Sequence, residues 1–355
     1  MINLKKKLKL VLPWKKNKLI KYILFPLALF YGGVIFLRNL FYSTKFFISK
    51  KLPTKVLSIG NITTGGTGKT PAVIFLTKLL SEKGIKCAIL SRGYGRKTTG
   101  TQLVTDGKTQ VLDWRKFGDE PSLMAKLLPG IPIVVDSKRY RGGMFLVDNF
   151  KPEVIILDDA FQHRSIERDL DIVLINSKDN KKDYKLLPYG VLREPASSLK
   201  RADVLIFTKT NLMAPNDFLN KIVKSTKTPV YLSTLKAQNT IAQDGRPIQI
   251  KKGLNAIALS AIADTKGFLI TLKQTGITVV EHFDFLDHHN YQQSDIDRIS
   301  KQMKRLNVET LITTEKDMIK LADLEFNGIK IYTVKVLFVL EEEGTIKLLD
   351  LIQNI

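Results

Sequence analysis

The chain has 355 residues, a length that suits two domains of ordinary size, and its 44% hydrophobic and 25% charged residues are typical of a globular protein. A single cysteine, Cys87, excludes a disulfide framework and fits a reducing compartment, and no cluster of cysteines and histidines has the spacing of a metal site. The formal net charge of +22 favours an anionic partner.

The positive charge is concentrated at the N-terminus. Residues 1–55 contain thirteen lysines and arginines and no acidic residue, and the first acid of the chain is Glu82. Within this segment the sixteen residues 22–37 carry no charge, although Pro26 and a Gly-Gly pair interrupt them, and more aromatic residues follow. We therefore interpret residues 1–55 as a basic and apolar segment that associates with an anionic membrane surface.

This segment has other interpretations. A cleaved signal peptide is disfavoured because the basic lead is long and no small-residue cleavage site follows the apolar run. A transmembrane span needs about 20 apolar residues, so the apolar run is marginal for it, and a pair of helices that lies in the membrane surface or is shallowly inserted fits better. A buried core helix with a solvated basic tail is a further alternative. No nucleic acid is expected as a partner, because an unbroken apolar run presents lysines poorly to a duplex.

A glycine-rich loop follows the first predicted strand. The apolar run 56–59 leads into Gly-Asn-Ile-Thr-Thr-Gly-Gly-Thr-Gly-Lys-Thr-Pro, and a helical pattern begins after it. In such a phosphate-binding loop, or P-loop, glycines let backbone N–H groups approach a phosphate, the lysine reaches the β- and γ-oxygens, and the threonine hydroxyl can hold Mg²⁺. The candidate residues for binding a nucleotide triphosphate are Thr63, Thr64, Gly65, Gly66, Thr67, Gly68, Lys69 and Thr70. Thr63 departs from the common pattern, which has glycine there.

Short apolar runs alternate with helical patterns along the rest of the chain, which predicts a parallel α/β sheet. The predicted strands of a first domain are 56–60, 87–90, 131–135, 154–157, 171–175 and 204–207, and those of a second block are 230–233, 256–259, 279–283, 310–313 and 329–334. The predicted fold is an α/β protein with a P-loop NTPase-type parallel sheet covered by helices on both faces (residues 56–214), a second, smaller α/β domain (residues 215–355) and the N-terminal membrane-associating helical segment.

Two carboxylates, Asp158 and Asp159, directly follow an apolar strand. Open α/β sheets bind ligands at the carboxyl ends of their strands, and in P-loop proteins an acid at this place holds the Mg²⁺ that bridges the β- and γ-phosphates. We therefore predict a metal site from Thr70, Asp158 and Asp159, with a solvated pair of acids as the alternative. Arg164 has two candidate roles, stabilising a transferring phosphate or pairing with Asp158.

Polar side chains that can do chemistry also occur in two turns of the first domain. Asp119 precedes Glu-Pro, where an aspartate either accepts a proton from an attacking hydroxyl or simply caps a helix. Arg92 and Arg96 flank a Gly-Tyr-Gly turn and suit an anionic ligand. The residue types alone do not decide between the two roles of Asp119.

A histidine pair, His288 and His289, lies in a loop of the second block. The pair is either catalytic or a surface feature. The helix predicted after it starts with Ser294 and Asp297 in a capping-box pattern. A second polar cluster, Thr-Thr-Glu-Lys-Asp at residues 313–317, ends another strand and has no assigned role.

Five of these motifs occur in one order along the chain, at residues 60–71, 91–94, 118–121, 158–164 and 287–289. Together they resemble the tetraacyldisaccharide 4'-kinase family, the lipid A 4'-kinases of Gram-negative bacteria. The resemblance covers most of the chain, including its basic apolar start. Ala160 departs from the family motif Asp-Asp-Gly-Phe-Gln-His-Arg, which has glycine at that position.

The resemblance implies a two-domain α/β kinase at the cytoplasmic face of the bacterial inner membrane. It implies transfer of the γ-phosphate of ATP to the 4'-hydroxyl of a tetraacylated glucosamine disaccharide 1-phosphate. Lys69 and Thr70 would hold the triphosphate and Mg²⁺, with the two strand-end acids completing the metal site. Asp119 resembles the catalytic base, and His288 would orient the 4'-hydroxyl from the second domain, so that domain closure is expected. The expected catalytic residues are thus Lys69, Asp119 and His288.

A membrane-attached P-loop regulatory or maturation NTPase is the alternative function. Guanine-specific members of that class carry Asn/Thr-Lys-x-Asp after a late strand, and this chain has Thr-Lys-Thr-Asn at residues 208–211, which lacks the aspartate. The missing aspartate argues against GTP. A membrane scaffold with a vestigial nucleotide site is disfavoured because the lysine, threonine and acids of the site are all present.

Overall fold

The computed structural model describes residues 18–109, 113–242, 245–326 and 328–355. These residues form two compact units. The larger unit comprises the described residues up to Leu235 together with Phe338–Ile355, and the smaller unit comprises Lys236–Leu337. The boundary between the two units thus follows Leu235 rather than residue 214, and the C-terminal residues 338–355 belong to the larger unit. The predicted functional domains, 56–214 and 215–355, stay a prediction.

The larger unit is built on a mostly parallel sheet. Its strands are β1 (Lys55–Asn61), β2 (Cys87–Ser91), β3 (Gln102–Thr105), β4 (Ile133–Val135), β5 (Val154–Asp158), β6 (Leu170–Asn176), β7 (Val204–Thr208) and the start of β8 (Val230–Ala242). They lie in the order β8, β7, β6, β1, β5, β2, β4, β3, and β3 alone of these pairs antiparallel, with β4. All predicted strands of the first domain are present, whereas the four-residue edge strand β3 was not predicted.

Helices cover both faces of this sheet. Neighbouring residues of a strand point to opposite sides, so each strand packs against both layers of helices. The helices are α2 (Lys69–Glu82), α3 (Trp114–Phe117), α4 (Asp119–Leu127), α5 (Arg139–Phe150), α6 (Asp217–Lys224) and α10 (Glu342–Gln353). Leu57 of β1 packs in one core cluster with Leu76 of α2, and the adjacent Val56 packs in another with Leu146 of α5. Burial on both faces explains why these strands are nearly continuous apolar runs.

The smaller unit repeats this design on a smaller scale. It contains β10 (Asn255–Ser260), β11 (Thr278–Asp284), β12 (Thr310–Thr314) and β13 (Lys330–Leu340), parallel and in the order β11, β10, β12, β13, while the end of β8 pairs antiparallel with β9 (Pro247–Ile248). Its helices are α7 (Thr265–Gln274), α8 (Gln293–Leu306) and α9 (Glu315–Leu321). Ile257 packs with Ile299 of α8, and Ala258 packs with Leu272 of α7. The predicted α/β fold class is confirmed.

The apolar N-terminal run forms one helix, α1 (Lys18–Ser43), of 26 residues. It continues through Pro26, so the structure has a single helix where a pair was predicted. A proline removes only one intrahelical hydrogen bond, and the flanking turns keep theirs. The stretch Tyr22–Ser43 is long and apolar enough to cross a membrane, and 11% of its most apolar window is buried. The basic residues before Lys18 lie outside the described residues.

Candidate functional site

The P-loop lies between β1 and α2, at the carboxyl end of the central strand. Gly65 and Gly68 have φ values of +113° and +88°, which only glycine adopts without strain. Helix α2 begins at Lys69, directly after the loop, so its first backbone N–H groups border the same space. A helix N-terminus next to a glycine-rich turn is a favourable place for a phosphate.

Residues from distant parts of the chain hold this loop. Thr63 is buried and forms a β-bridge with Leu192, while the Thr64 N–H donates to the Val191 carbonyl at 2.7 Å. The Lys209 ammonium donates to the Gly66 carbonyl at 2.5 Å. Thr63 has no left-handed φ, so the glycine of the common pattern is not needed there.

Lys69 turns its ammonium towards the strand-end acids. Its Nζ lies 3.2 Å from Asn61 Oδ1 and 3.5 Å from Asp159 Oδ1. Arg193 Nη1 lies 2.9 Å from each oxygen of Asp159. Burial on its own would raise the pKa of Asp159, but Lys69 and Arg193 together lower it below its ordinary value. Asp159 is therefore a carboxylate that is ionised and held between two cations.

Asp158 has different surroundings, although it is the adjacent residue. Its carboxyl group is buried and accepts a hydrogen bond from Ser91 Oγ at 2.9 Å. Burial, with the nearby charges of Glu120 and Asp159, raises the pKa of Asp158 to about 7. An additional cation beside this group would favour its ionised form.

The turn after the acids packs closely against β1. A Cβ atom on Gly60 would lie 2.6 Å from Phe161 Cβ, and Gln162 Nε2 donates to the Asn61 carbonyl at 2.8 Å. Asp159 is the residue of this turn with a left-handed φ, +50°, and Ala160 is not in that region. Alanine in place of the family's glycine is therefore compatible with the backbone.

Two arginines predicted to suit anionic ligands make contacts that stabilise the fold, and their ligand roles stay a prediction. Arg164 Nη1 donates to the Asn39 carbonyl of α1 at 3.0 Å, and its guanidinium lies over the Tyr42 ring, so its described contacts are with α1 rather than Asp158. Arg96 donates to the carbonyls of Val135 and Gly100, at 3.0 and 2.7 Å. Arg96 thereby ties the loop at Gly100 to the end of β4.

Asp119 is the first residue of α4 and is buried. Gly118, with φ of +99°, is the N-cap, so the interpretation of Asp119 as the cap is wrong. Asp119 Oδ1 accepts a hydrogen bond from the N–H of Glu120 at 2.9 Å. The next residue, Glu120, is close enough to Asp158 to raise its pKa, so the start of α4 borders the acid pair.

The histidine pair lies in the smaller unit. His289 stacks on Phe285 with ring centroids 4.4 Å apart, and its Nε2 lies 2.9 Å from Asp295 Oδ2. His288 has φ of +63°, and its Nε2 lies 3.4 Å from Lys316 Nζ. The His288 and His289 side chains are equally exposed, at 30% each, and each has a charged neighbour, so the choice of His288 stays a prediction.

The helix after the histidines begins earlier than predicted. Gln292 is the N-cap of α8 and forms a capping box with Asp295, whereas Ser294 and Asp297 do not. In the polar cluster at residues 313–317, Asp317 Oδ2 accepts hydrogen bonds from Thr314 Oγ1 at 2.7 Å and from the Ala261 N–H at 3.1 Å. This cluster caps α9 and ties it to the strand beside it.

The predicted site residues therefore fall into two groups. The P-loop residues, Lys69, Asp158, Asp159 and Asp119 lie in the larger unit, and His288 lies in the smaller one. Thr70 occupies the first turn of α2. Asn61 and Ser91 lie within two of the sequence motifs, but no role was predicted for them, and Arg193 lies outside those motifs. Lys209 belongs to a segment noted only for its incomplete guanine motif.

The oxygen groups of the site suit Mg²⁺, which is usually bound by one or two carboxylates together with substrate phosphates. Asp158 fits this role because its carboxyl group ends β5 beside the strand that leads into the P-loop, where a cation would favour its ionised form. Asp159 fits less well because Arg193 occupies both of its oxygens. Within the described ranges, no group of three or more His, Cys, Asp or Glu side chains is placed to hold a metal ion.

Comparison with known proteins identifies the family. The sequence model described as "Tetraacyldisaccharide-1-P 4'-kinase" matches residues 20–353. A tetraacyldisaccharide 4'-kinase of Chlorobaculum tepidum is 41% identical over 310 residues, covering 86% of this chain and 88% of that protein. One of Aquifex aeolicus is 38% identical over 304 residues, covering 85% and 90%. The crystal structure of LpxK from Aquifex aeolicus in complex with ATP matches with a TM-score of 0.76 and 34% identity, covering 94% of this chain and 99% of that one. The chain belongs to the tetraacyldisaccharide 4'-kinase family.

Proposed function

We propose that the chain transfers the γ-phosphate of ATP to the 4'-hydroxyl of a tetraacyldisaccharide 1-phosphate, a step of lipid A biosynthesis. Family membership supports this reaction, as does the ATP bound to the related crystal structure. The observation that carries it is the convergence of Lys69, Asp158 and Asp159 at the end of the P-loop. Such a site suits phosphoryl transfer, which depends mainly on positioning and charge stabilisation.

The P-loop residues would bind the triphosphate. The backbone of residues 63–68 surrounds the phosphates in this proposal, and Lys69 approaches the β- and γ-oxygens. Asp159 and Asn61 hold the Lys69 ammonium before the nucleotide arrives. Thr70 and Asp158 would hold Mg²⁺, which neutralises charge on the phosphates when it is bound.

The acceptor would be activated by two residues. Asp119, buried at the start of α4, would take the proton from the 4'-hydroxyl. His288, in the smaller unit, would orient that hydroxyl. The substrate is a glycolipid, an acylated glucosamine disaccharide 1-phosphate, in keeping with the names of the relatives.

A phosphate-transfer assay tests the function. Detergent-solubilised chain, ATP and a tetraacyldisaccharide 1-phosphate should yield a 4'-phosphorylated lipid, and Asp119→Asn should lower the rate by on the order of 10²-fold or more. Asp148→Asn, an exposed change on α5, is the matched control and should keep the wild-type rate. Release of inorganic phosphate to water with no lipid product would instead favour a regulatory NTPase.

We also propose that α1 attaches the chain to the cytoplasmic face of the bacterial inner membrane. Ile23, Phe30, Phe36 and Leu37 expose their apolar side chains on this helix. Basic residues precede and follow the helix, which suits anionic lipid. The wild-type chain should sediment with vesicles of anionic lipid, and Phe30→Glu/Phe36→Glu should lower the bound fraction. Equal sedimentation of both proteins would count against α1 as the attachment.

A further inference from the structure

We propose that α1 is a positioning element of the phosphate site, acting through Tyr31 and Arg38 on residues 191–194. We call these four residues the bridging segment. The proposal deepens the proposed function and rests on it for its meaning in catalysis. It assigns to α1 a task that is separate from attachment to a membrane.

One side of the bridging segment holds the nucleotide site. The Val191 carbonyl accepts from the Thr64 N–H at 2.7 Å, and Leu192 forms a β-bridge with Thr63. The Arg193 N–H donates to the Ile62 carbonyl at 2.7 Å, while its guanidinium holds both oxygens of Asp159. The segment therefore supports the P-loop backbone and the acid that faces Lys69.

The other side of the bridging segment is held by α1. The Tyr31 hydroxyl donates to the Arg193 carbonyl at 2.8 Å, and Arg38 Nη2 donates to Glu194 Oε1. Ala28 and Ile35 are buried on the same helix, so the contacting residues recur every three or four positions along one face. Tyr31 and Arg38, seven positions apart on α1, thus form hydrogen bonds with the consecutive residues Arg193 and Glu194.

Burial makes the loss of the second of these contacts costly. The Glu194 side chain is 0% exposed, and its carboxylate is shared by Arg38 and by Arg201, whose Nη2 lies 2.7 Å from Oε2. A fully buried carboxylate needs its charge partners, and losing one of them shifts its position or its environment. Arg201 in turn lies over the ring of Phe161, which follows the acid pair. Displacement of Glu194 would therefore disturb the site in two ways, through the adjacent Arg193 and through Arg201 and Phe161.

The consequence is a link between the seating of α1 and the affinity for nucleotide. When α1 is held on the larger unit, Arg193 is fixed at both its backbone and its side chain. When these contacts are lost, Arg193 can leave Asp159, and Asp159 then draws Lys69 away from the phosphates. Tyr31 and Arg38 are positioning residues because they touch neither nucleotide nor acceptor in this arrangement.

Calorimetric titration of Mg·ATP into the full chain in detergent, without lipid substrate, tests the proposal. The double variant Tyr31→Phe/Arg38→Met should raise the Kd roughly three- to tenfold, the range expected for coupling through a contact network. A merely structural loss of folded protein would lower the binding stoichiometry and leave the Kd unchanged. The single variant Arg38→Lys, which keeps the charge beside Glu194, should keep most of the wild-type affinity for Mg·ATP.

Arg141→Met is the matched control. Arg141 is 49% exposed and pairs at 2.8 Å with Asp136, whose side chain is 0% exposed. The substitution therefore removes an arginine from a buried carboxylate, as Arg38→Met does, but leaves the bridging segment unchanged. It should keep the wild-type Kd. A folded double variant with wild-type Kd overturns the inference. A wild-type chain that makes no phosphorylated lipid would overturn the proposed function but would leave the comparison of Kd values standing.

Discussion

Asp158 and Asp159 are neighbours in the chain, yet their surroundings shift their pKa values in opposite directions. Burial with Glu120 and Asp159 raises the pKa of Asp158 to about 7, whereas Lys69 and Arg193 outweigh burial and lower that of Asp159. Pairs of titratable groups with diverging pKa values are typical of active sites, because each then has a different role. Here Asp159 orients Lys69, and Asp158 is suited to a metal cation.

His163 provides a pH prediction at the same scale. Burial, with the positive charges of Arg139 and Arg92, lowers its pKa from 6.5 to about 4. A depressed folded-state pKa stabilises the folded chain above pH 6.5, and this contribution is lost as the pH falls towards 4. We expect the thermal midpoint to fall more between pH 7 and pH 5 in the wild type than in His163→Gln. Equal falls in the two proteins would contradict this pKa shift.

The elements decide where the site can form. Strand β1 delivers Asn61, the P-loop follows it, and β5 ends beside it with the acid pair, because parallel neighbours present their carboxyl ends at one edge. The predicted strands and the P-loop helix were confirmed, since each is an apolar run or stripe that local sequence reveals. Helix α1 and the start of α8 were predicted less well, because α1 accommodates Pro26 without breaking and because Gln292, rather than Ser294, caps α8.

Gly60 tests how tightly the elements at the site pack. A Cβ atom there would lie 2.6 Å from Phe161 Cβ and 2.8 Å from the Phe161 backbone nitrogen. Gly60→Ala should therefore destabilise the fold by about 1–3 kcal/mol and lower kinase activity, since overpacking displaces the turn that carries the acids. Gly33→Ala on α1 is the control, because a Cβ atom at that position would have no neighbouring atom within 4 Å. Chemical denaturation should show a loss for the first variant only.

At the scale of the whole molecule, the chain divides its candidate residues between two units. The larger unit contains the P-loop, the acid pair and Asp119, and the smaller unit contains His288. The chain passes from the larger unit to the smaller one after Leu235 and returns to the larger one after Leu337. The second crossing was not predicted, because no composition change marks the return of residues 338–355 to the first unit.

This division predicts separate losses of function. Because Lys69 lies at the P-loop, Lys69→Met should abolish the rise in thermal midpoint that saturating Mg·ATP produces, through loss of binding to the folded state. His288→Ala should keep that rise and lose phosphate transfer to the lipid. Differential scanning fluorimetry and the transfer assay measure the two effects. A His288→Ala chain that no longer responds to Mg·ATP would contradict the separation.

The family, the P-loop, the strand-end acids and most of the strands were predictable from the sequence, because these depend on residues close together in the chain. A strand, a glycine turn and a helix start are specified by local patterns of apolar residues and backbone freedom. Only the folded chain shows that Arg193 holds Asp159, that Lys209 holds Gly66 and that Tyr31 of α1 contacts Arg193. Those contacts join residues from 34 to 162 positions apart, and no local pattern specifies which distant groups the folded sheet brings together.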